Sequence, residues 1–298
     1  MKCNGWFTVT RPMSNGDNAK LWSVPHLHHL KLFRANIIKY AFKRHAHDYF
    51  VIGMIEEGVQ KFDYRSAQFV TPTQGIIVLN PGEAHTGEAA VPTGFRYRAL
   101  YPEAELLQHI ASEVGERQRD IPFFSKPVID DVALFKQIQR MHTALEDDIS
   151  ALEQESRLLW ALGQLIVRHA DAPLPMRTLK QERLEIKRLK HYMEERCAEN
   201  IKLADLAALV HWSPFYLLRV FHQEVGLPPH AYLESVRVRH AQRLLSQGHP
   251  LADVAYATGY SSQSHFSNSF KYFIGVTPGQ YAKEVNILQD NYPHDDLS

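Results

Sequence analysis

The chain has 298 residues, with 33 lysines and arginines against 33 aspartates and glutamates, 17 histidines, 2 cysteines and 45% hydrophobic residues. This composition predicts a globular protein of two domains and excludes a long disordered chain, a collagen-like repeat and a disulfide scaffold. Zero net charge excludes an indiscriminate polycation but leaves sequence-specific recognition open. No apolar run reaches the ~18 residues of a membrane span, and residues 1–10 lack a signal-peptide layout. We therefore expect a cytoplasmic protein with no membrane partner.

The first third of the chain has the pattern of short β-strands. Residues 45–55 are rich in aromatic and β-branched residues and lead to a turn at Gly58, so Gln60–Tyr64 is expected to pair with them as a hairpin. Gly75–Asn80 and Phe95–Tyr101 predict two further strands. Short strands separated by glycine and proline favour a sandwich or barrel over a βαβ sheet.

After Pro127 the hydrophobic period changes to that of helices. Apolar residues recur at steps of three or four over Val132–Leu145 and again over Leu152–Ile166, which predicts two amphipathic helices. The two helices can pack on the barrel or form the seam of a homodimer, and the pattern leaves both options open. The predicted α+β organisation is a barrel domain (1–126), a helical pair (127–170), a proline-containing linker (171–180), an all-helical domain (181–285) and a polar tail (286–298).

The helical domain repeats itself. Leu203–Ala207 aligns with Leu251–Ala255, and each copy has the pattern of a short helix, a turn and a second helix. Ser213 is the expected N-cap of the second helix in the first copy, and Ser261 or Ser262 is the expected N-cap in the second. Small residues at a helix crossing with a tight turn between predict two helix-turn-helix units, over 203–224 and 251–273. A helix containing residues 232–245 would be a rigid connection between them.

The second helix of each copy carries residues that a plain helical bundle would not require. Leu217 and Phe221 suit the core of the first unit, and Phe266 and Phe270 suit that of the second, while other positions form a separate face. Glutamine and asparagine pair with adenine edges, and arginine with guanine, so we rank DNA recognition above the bundle. The candidate DNA-contacting residues are Phe215, Tyr216, Leu218, Arg219, His222, Gln263, Ser264, Ser267, Asn268 and Lys271.

Residues 252–267 (ADVAYATGYSSQSHFS), with Phe270–Lys271 and Gly275–Pro278 beyond them, resemble the signature of the AraC/XylS family of bacterial transcription regulators. The first copy matches as well, so the resemblance covers roughly a hundred residues at many spaced positions. It implies a promoter-binding regulator rather than an enzyme, whose two recognition helices enter successive major-groove segments, and RNA polymerase as a partner if the protein is an activator. Family members commonly have arginine where this chain has Asn268, so we expect the second helix either to read a different base or to depend more on Gln263.

The N-terminal region resembles the cupin-like sensor domain that many members of this family carry. His45 and His47 before one strand, and the Gly75–His85 segment, are similar to the two cupin motifs. Alternation places His45, His47 and Tyr49 on one strand face, which in a cupin points into the barrel. The resemblance therefore implies a pocket for a small-molecule effector of unknown identity. Its candidate residues are His45, His47, Tyr49, His85, Arg96 and Arg98.

Two other interpretations of these histidines stay open. Three converging imidazoles at His45, His47 and His85 would suit Zn²⁺, Ni²⁺ or Fe²⁺. However, the carboxylate that metallo-cupins carry four residues after the second histidine is Val51 here, and the second motif is one residue short before His85. The histidines can equally be structural polar groups. We rank the effector pocket first, structural histidines second and metal third, and expect no cofactor. The alternative function is a metal-dependent cupin enzyme fused to a structural helical domain.

The charge of the predicted DNA-binding domain is close to neutral. Residues 181–285 hold 12 basic residues, 10 acidic residues and 7 histidines. Because non-specific affinity depends on phosphate neutralisation, we expect that affinity to be modest. Protonation of histidines should tighten DNA binding below about pH 6.5.

Overall fold

The computed structural model describes residues 9–12, 17–147, 149–172, 174, 179 and 182–283. The chain divides into two compact units. Unit one comprises residues 1–147 and 157–178, and unit two comprises residues 148–156 and 179–298. Most of the predicted linker, all of the predicted polar tail and Cys3 lie outside the described residues.

Unit one is built on two antiparallel sheets. Its strands are β1 (Val9–Pro12), β2 (Asn18–Val24), β3 (Leu30–Ile37), β4 (Phe42–His45), β5 (Val51–Gly58), β6 (Gln60–Tyr64), β7 (Ala67–Thr71), β8 (Ile76–Leu79), β9 (His85–Ala89), β10 (Phe95–Tyr101) and β11 (Val128–Ile129). The larger sheet has the order β1-β2-β3-β10-β5-β8-β11, and the smaller has the order β4-β9-β6-β7. The predicted β-rich N-terminal fold is confirmed.

The core of unit one contains inward-facing side chains from both sheets. Ile37, Ile55 and Phe95 come from the larger sheet, and Phe62 and Tyr64 from the smaller. Along β6 every second residue is buried, so one face of this strand is directed to the core and the other to its surroundings. The period of two thus places β-branched and aromatic residues between the sheets.

The predicted hairpin between residues 45–55 and β6 is wrong. β5 pairs with β10 and β8 in the larger sheet, whereas β6 pairs with β7 and β9 in the smaller one. The chain changes sheets at Gly58, which has φ +77 and lies so close to Gly94 that a Cβ would be 2.1 Å from its carbonyl oxygen. Only glycine fits this conformation and contact without strain. The glycine is therefore a crossing point between the sheets, and the turn signal did not distinguish this from a hairpin.

Three helices belong wholly or partly to unit one: α1 (Ala104–Gly115), α2 (Val132–Ala144) and α3 (Ala151–His169). The last two match the predicted amphipathic helices, whereas the periodicity analysis does not predict α1. The carboxylate of Asp131 caps α2 by accepting a hydrogen bond from the Leu134 amide, and it also accepts one from His169 of α3. Leu134 and Ile138 are fully buried, so the apolar face of α2 packs inside the chain.

Unit two is almost entirely helical. Its helices are α4 (Arg183–Glu195), α5 (Leu203–Val210), α6 (Pro214–Val225), α7 (Pro229–Ser246), α8 (Leu251–Ala257) and α9 (Gln263–Ile274), and residues 278–283 are also helical. The α5–α6 and α8–α9 pairs form the two predicted helix-turn-helix units, and α7 connects them. No helix within the described ranges is long and apolar enough to cross a membrane.

The second helices of the two helix-turn-helix units, α6 and α9, begin and end in the same way. The Ser213 hydroxyl accepts a hydrogen bond from the Tyr216 amide, and the Ser262 hydroxyl accepts one from His265. Ser262, rather than Ser261, is therefore the cap of α9. Both helices end at a glycine in the left-handed conformation, Gly226 and Gly275. The repeat in the sequence thus produces a repeat in structure.

Candidate nucleic-acid interface and ligand pocket

The α9 helix separates an apolar face from a polar one. Phe266 and Phe270 are fully buried in a cluster with Tyr260. Four of the five residues proposed for DNA contact on this helix are exposed and the fifth, Ser267, is partly exposed: the four are Gln263, Ser264, Asn268 and Lys271. The structure therefore brings all five predicted residues to one accessible face of a capped helix.

The predicted contact face of α6 needs correction. Phe215, Tyr216 and Leu218 are 1%, 1% and 3% exposed, so these three side chains are part of the core and cannot meet base edges in this structure. The helix contacts α4, α5 and α7. Because three helices surround it, the buried part of its surface is wider than one apolar stripe. The Tyr216 hydroxyl, for example, donates a hydrogen bond to Glu182 beside α4.

The part of α6 that remains accessible is small and polar. Arg219 is partly exposed and His222 is exposed, as predicted. Gln223, four residues after Arg219, is exposed as well and extends the same side of the helix. Gln223 is not among the residues predicted from the sequence, although its spacing of four from Arg219 places it on the same side of the helix.

A buried ion pair on α7 links the second helix-turn-helix unit to the segment that precedes the first. The Arg237 guanidinium donates to the carbonyl oxygens of Cys197 (2.8 Å) and Glu199 (3.1 Å), which precede α5, and to the Glu234 carboxylate (3.2 Å). The second oxygen of Glu234 accepts a hydrogen bond from Ser269 of α9 (2.9 Å). Because both charges are almost fully buried and multiply hydrogen-bonded, the network fixes α9 against α7 and fixes α7 against the segment that precedes α5.

Three histidines of unit one converge at one end of the smaller sheet. His45 ends β4 and His85 begins β9, and the two are direct partners in the antiparallel ladder. Their ring centroids are 4.5 Å apart, and the ring of His47 lies 4.6 Å from His45 and 5.3 Å from His85. Each residue offers a ring nitrogen within 4.8 Å of the other two. These three residues are the histidine cluster.

The reason for this convergence differs from the one predicted. Residues 46–50 are not part of a regular strand, because β4 ends at His45 and β5 begins at Val51. His47 reaches the cluster from the connection between the strands, and Tyr49 joins by stacking on His47 at 4.6 Å. Strand alternation therefore predicts correctly that His45, His47 and Tyr49 lie together, but the regular strand that it assumes for His47 and Tyr49 is not present in the structure.

Arg96 and Arg98 do not face the histidine cluster, which corrects their assignment to the effector pocket. Tyr97 and Tyr101 of β10 line the cavity, so alternation directs the arginines to the opposite face of the sheet. There Arg98 donates to Glu56 at 2.8 Å and Arg96 donates to the same carboxylate at 3.1 Å. Although burial opposes ionisation of Glu56, hydrogen bonds from Gln139 and Arg98 lower its pKa.

The histidine cluster lines a cavity between the two sheets. The space between its walls, counted together with the open solvent at its mouth, is about 460 Å³. Its remaining walls are Phe42, Val51, Gln60, Phe62, Ile77, Leu79, Thr86, Gly87, Tyr97 and Tyr101. Gln60 is buried, and its Oε1 atom has no hydrogen-bond partner within the described structure. Burial raises the pKa of Tyr97 and of Tyr101, so both phenols stay protonated. Gln60, Tyr97 and Tyr101 are not among the residues predicted from the sequence, although alternation along β6 and β10 indicates the direction of their side chains.

Two imidazoles of the cluster, those of His47 and His85, favour their neutral form. Burial, together with the nearby His45, His85 and Lys31, lowers the pKa of His47 to about 4. Burial also lowers the pKa of His85, partly opposed by a hydrogen bond with the backbone carbonyl of Glu83. A neutral imidazole is the form that accepts a hydrogen bond or ligates a metal. His45, His47 and His85 are thus the residues of this pocket that can hold a metal ion.

Two family models match the chain. The model of an AraC-like ligand binding domain matches residues 28–162, which include β3 to β10 and the histidine cluster. The model of a helix-turn-helix domain matches residues 206–284, which include the second repeat and most of the first. The cavity and the polar face of α9 therefore lie in separately recognised regions.

Relatives of the chain carry regulator names. The uncharacterized HTH-type transcriptional regulator YbfI of Bacillus subtilis is 32% identical over 241 residues, which are 81% of this chain and 86% of YbfI. The HTH-type transcriptional regulator GlxA of Rhizobium meliloti is 42% identical over 87 residues, or 28% of this chain and 26% of GlxA. Among solved structures, the C-terminal domain of AraT, a response regulator from Geobacillus stearothermophilus, is 30% identical, with 36% of this chain and 88% of that one covered and a TM-score of 0.33.

Proposed function

Because this chain belongs to the AraC family of HTH-type transcriptional regulators, we propose that it reads its promoter with the polar face of α9 and the accessible side of α6. The family consists of DNA-binding regulators, not enzymes, so the alternative of a cupin enzyme with a structural helical domain is set aside. One observation supports the proposal most strongly. Gln263, Ser264, Asn268 and Lys271 form an exposed polar surface on α9, away from the buried Phe266 and Phe270.

Gln263 and Asn268 are proposed to read bases from α9. Gln263 is the first residue of the helix, beside the Ser262 cap, where a recognition helix presents side chains to the major groove. Carboxamides form bidentate pairs with adenine, and each such pair contributes about 1–3 kcal/mol of base discrimination. Ser264 and Ser267 add short hydrogen-bonding groups, and Lys271 adds a positive charge for the phosphate backbone.

On α6 the proposal is narrower than the sequence suggests. Arg219 is assigned to a guanine, since its guanidinium matches the two acceptors on the major-groove edge of that base. His222 and the newly recognised Gln223 are assigned to the adjoining contacts. Burial removes Phe215, Tyr216 and Leu218 from the set.

The effector site is proposed to be the cavity beside the histidine cluster. His45, His47, Tyr49 and His85 retain their proposed role, because the three histidines line the cavity and Tyr49 stacks on His47. Gln60, Tyr97 and Tyr101 join them as polar groups inside. An effector changes DNA binding only if the protein has two conformations that differ in their affinity for DNA, and only if the effector binds one of them more tightly than the other.

Two partners and a location complete the proposal. RNA polymerase is the partner if the protein activates, and Tyr256 and Tyr272, 86% and 84% exposed, offer it aromatic surface on unit two. A homodimer formed through the helical pair has less support, because α2 and α3 bury Leu134, Ile138 and Leu162 within the chain. The cytoplasm is the proposed location, since it holds the promoter DNA.

Genomic DNA selection followed by gel retardation tests the proposed interface. Fragments captured by the purified chain are bound again by Gln263→Ala, Asn268→Ala and Arg219→Ala variants. Each variant is expected to lose about 1–3 kcal/mol of discrimination between the selected site and random DNA. Gln247→Ala, at an exposed glutamine beyond α7, is the matched control and should bind normally. Unchanged discrimination in all three variants would contradict the assignment.

A further inference from the structure

We propose that the histidine cluster holds one divalent transition-metal ion, and that this ion binds the carboxylate of a small anionic effector with an apolar body. The inference rests on the proposed function, in which the cavity is the effector site. It is carried by the arrangement of His45, His47 and His85, by the composition of the cavity wall and by an unsatisfied buried amide.

Backbone contacts leave a ring nitrogen of His45 and of His85 available as a metal ligand. The Nδ1 atom of His45 lies 2.5 Å from the carbonyl oxygen of Lys43, and Nδ1 of His85 lies 3.1 Å from that of Glu83. A carbonyl oxygen can only accept a hydrogen bond, so both Nδ1 atoms carry the proton and both Nε2 atoms keep a lone pair. A backbone acceptor that fixes the ring in this way is the usual support of a metal-ligating histidine.

The spacing of the ligand atoms fits one ion. Metal–nitrogen bonds of about 2.0–2.1 Å place two ligands of the same ion at most about 4.2 Å apart. The ring nitrogens of His45, His47 and His85 are already within 4.8 Å of one another. Small side-chain rotations therefore bring all three into the coordination range of zinc, cobalt or nickel.

The charge of the site selects the kind of effector. Ligation by three histidine nitrogens adds no negative charge, so both positive charges of the ion are left uncompensated. The lining residue at the start of β5, Val51, adds no charge either. No acidic side chain is found in the described lining of the cavity, and Asp48 beside His47 is exposed to solvent. A buried charge requires a partner. With three protein ligands, the ion also has open coordination positions, which an effector carboxylate would occupy.

The rest of the cavity indicates the body of that effector. Phe62, Ile77 and Leu79 form an apolar wall, which suits a hydrocarbon or aromatic group. The unpaired Oε1 atom of buried Gln60 requires a donor, so we expect a hydroxyl or amino group on the ligand. The effector class is thus a small carboxylate with an apolar body and one hydrogen-bond donor.

Cobalt titration of the full chain tests metal binding. Protein stripped with a chelator is titrated with Co²⁺, and the visible absorption of the ion reports coordination by imidazole. About one ion per chain is expected, since three ligands define one site. His47→Gln and His85→Gln should each weaken binding by roughly 100-fold or more. The matched control, His109→Gln on the exposed side of α1, should bind as the wild type does.

Azide tests the anion preference. Adding azide should change the Co²⁺ absorption of the wild type, because the ion has open positions and uncompensated charge. Val51→Glu, which supplies a carboxylate at the cavity wall, should retain cobalt and bind azide at least about tenfold more weakly. A cobalt spectrum that azide leaves unaltered would contradict the anion part.

Gel retardation of the same preparations separates this inference from the proposed function. Absence of stoichiometric cobalt binding in folded wild-type protein that still retards selected DNA would overturn the metal site alone. Equal cobalt affinity in the wild type and in both histidine variants would also overturn it. Circular dichroism checks the fold of each variant, and His47→Gln provides the decisive comparison if buried His85 does not tolerate substitution.

Discussion

His142 makes the stability of unit one depend on pH. Its side chain is fully buried, and its Nε2–H group donates to the carbonyl oxygens of Phe33 and Ala99, each at 3.2 Å. Its Nδ1 atom accepts from Arg98 at 3.1 Å. Burial and the charge of Arg98 lower the pKa of His142 to about 4, although Glu146 partly opposes the shift. The folded protein therefore contains a neutral histidine held by three hydrogen bonds.

The sign and size of the effect follow from this lowered pKa. As the pH falls below the ordinary value of 6.5, the unfolded chain binds a proton at His142 while the folded chain does not. Stability that is fully present above pH 6.5 is therefore lost progressively down to a pH near 4. Between pH 7 and pH 5 the loss from this residue amounts to about 2 kcal/mol in the free energy of unfolding.

Urea unfolding of the full chain at pH 7 and pH 5 measures this loss. His142→Gln keeps a donor and an acceptor but cannot titrate, so its unfolding free energy should fall by about 2 kcal/mol less than that of the wild type. Contributions from His47, His85 and the carboxylates cancel in this difference. The same pH dependence in both proteins would refute a neutral buried His142.

Three further predictions concern unit two and its binding of DNA. Arg237→Met should lower the free energy of unfolding by roughly 3–5 kcal/mol in urea denaturation, because Glu234 is left as a buried unpaired charge. Gly259→Ala should destabilise the second helix-turn-helix unit, since φ is +80 and the new Cβ would lie 2.7 Å from the Ala198 carbonyl oxygen. Thermal unfolding checks this against Gly248→Ala, which has the same φ but open space around its Cβ. DNA affinity measured from about pH 8 to pH 6 should rise as exposed histidines gain charge, and a constant affinity would contradict this expectation.

The sequence predicts unit two well because its local signals agree with its packing. The repeat, the serine caps and the terminal glycines each act over a few residues, and they define α6 and α9 correctly. The face of α9 is also predicted correctly, since Phe266 and Phe270 form a single apolar stripe. On α6 the same spacing argument fails for Phe215 and Leu218. Periodicity reports which residues share a side of a helix, but not how many neighbouring helices surround it.

In unit one, too, the sequence predicts local structure but not the contacts between distant segments. Strand positions such as Phe95–Tyr101 are predictable from composition, whereas the sheet that a strand joins depends on contacts distant in sequence. At Gly58 the chain crosses from β5 into the other sheet, and Gly94 lies against Gly58 at this point. A turn motif in the sequence does not indicate that contact. Alternation along β10 predicts that the side chain of Arg98 points to the opposite face of the sheet from that of Tyr97. Its partner Glu56, on β5, follows only from the strand register.

Methylation protection on a selected genomic fragment tests the central claim most directly. If α6 and α9 each read a major-groove segment, guanine N7 atoms should be protected in two stretches about one helical turn, or 10 base pairs, apart. Gln263→Ala should alter one stretch, and Arg219→Ala should alter the other. A single protected stretch, or two stretches that neither substitution affects, would contradict DNA reading by these two helices.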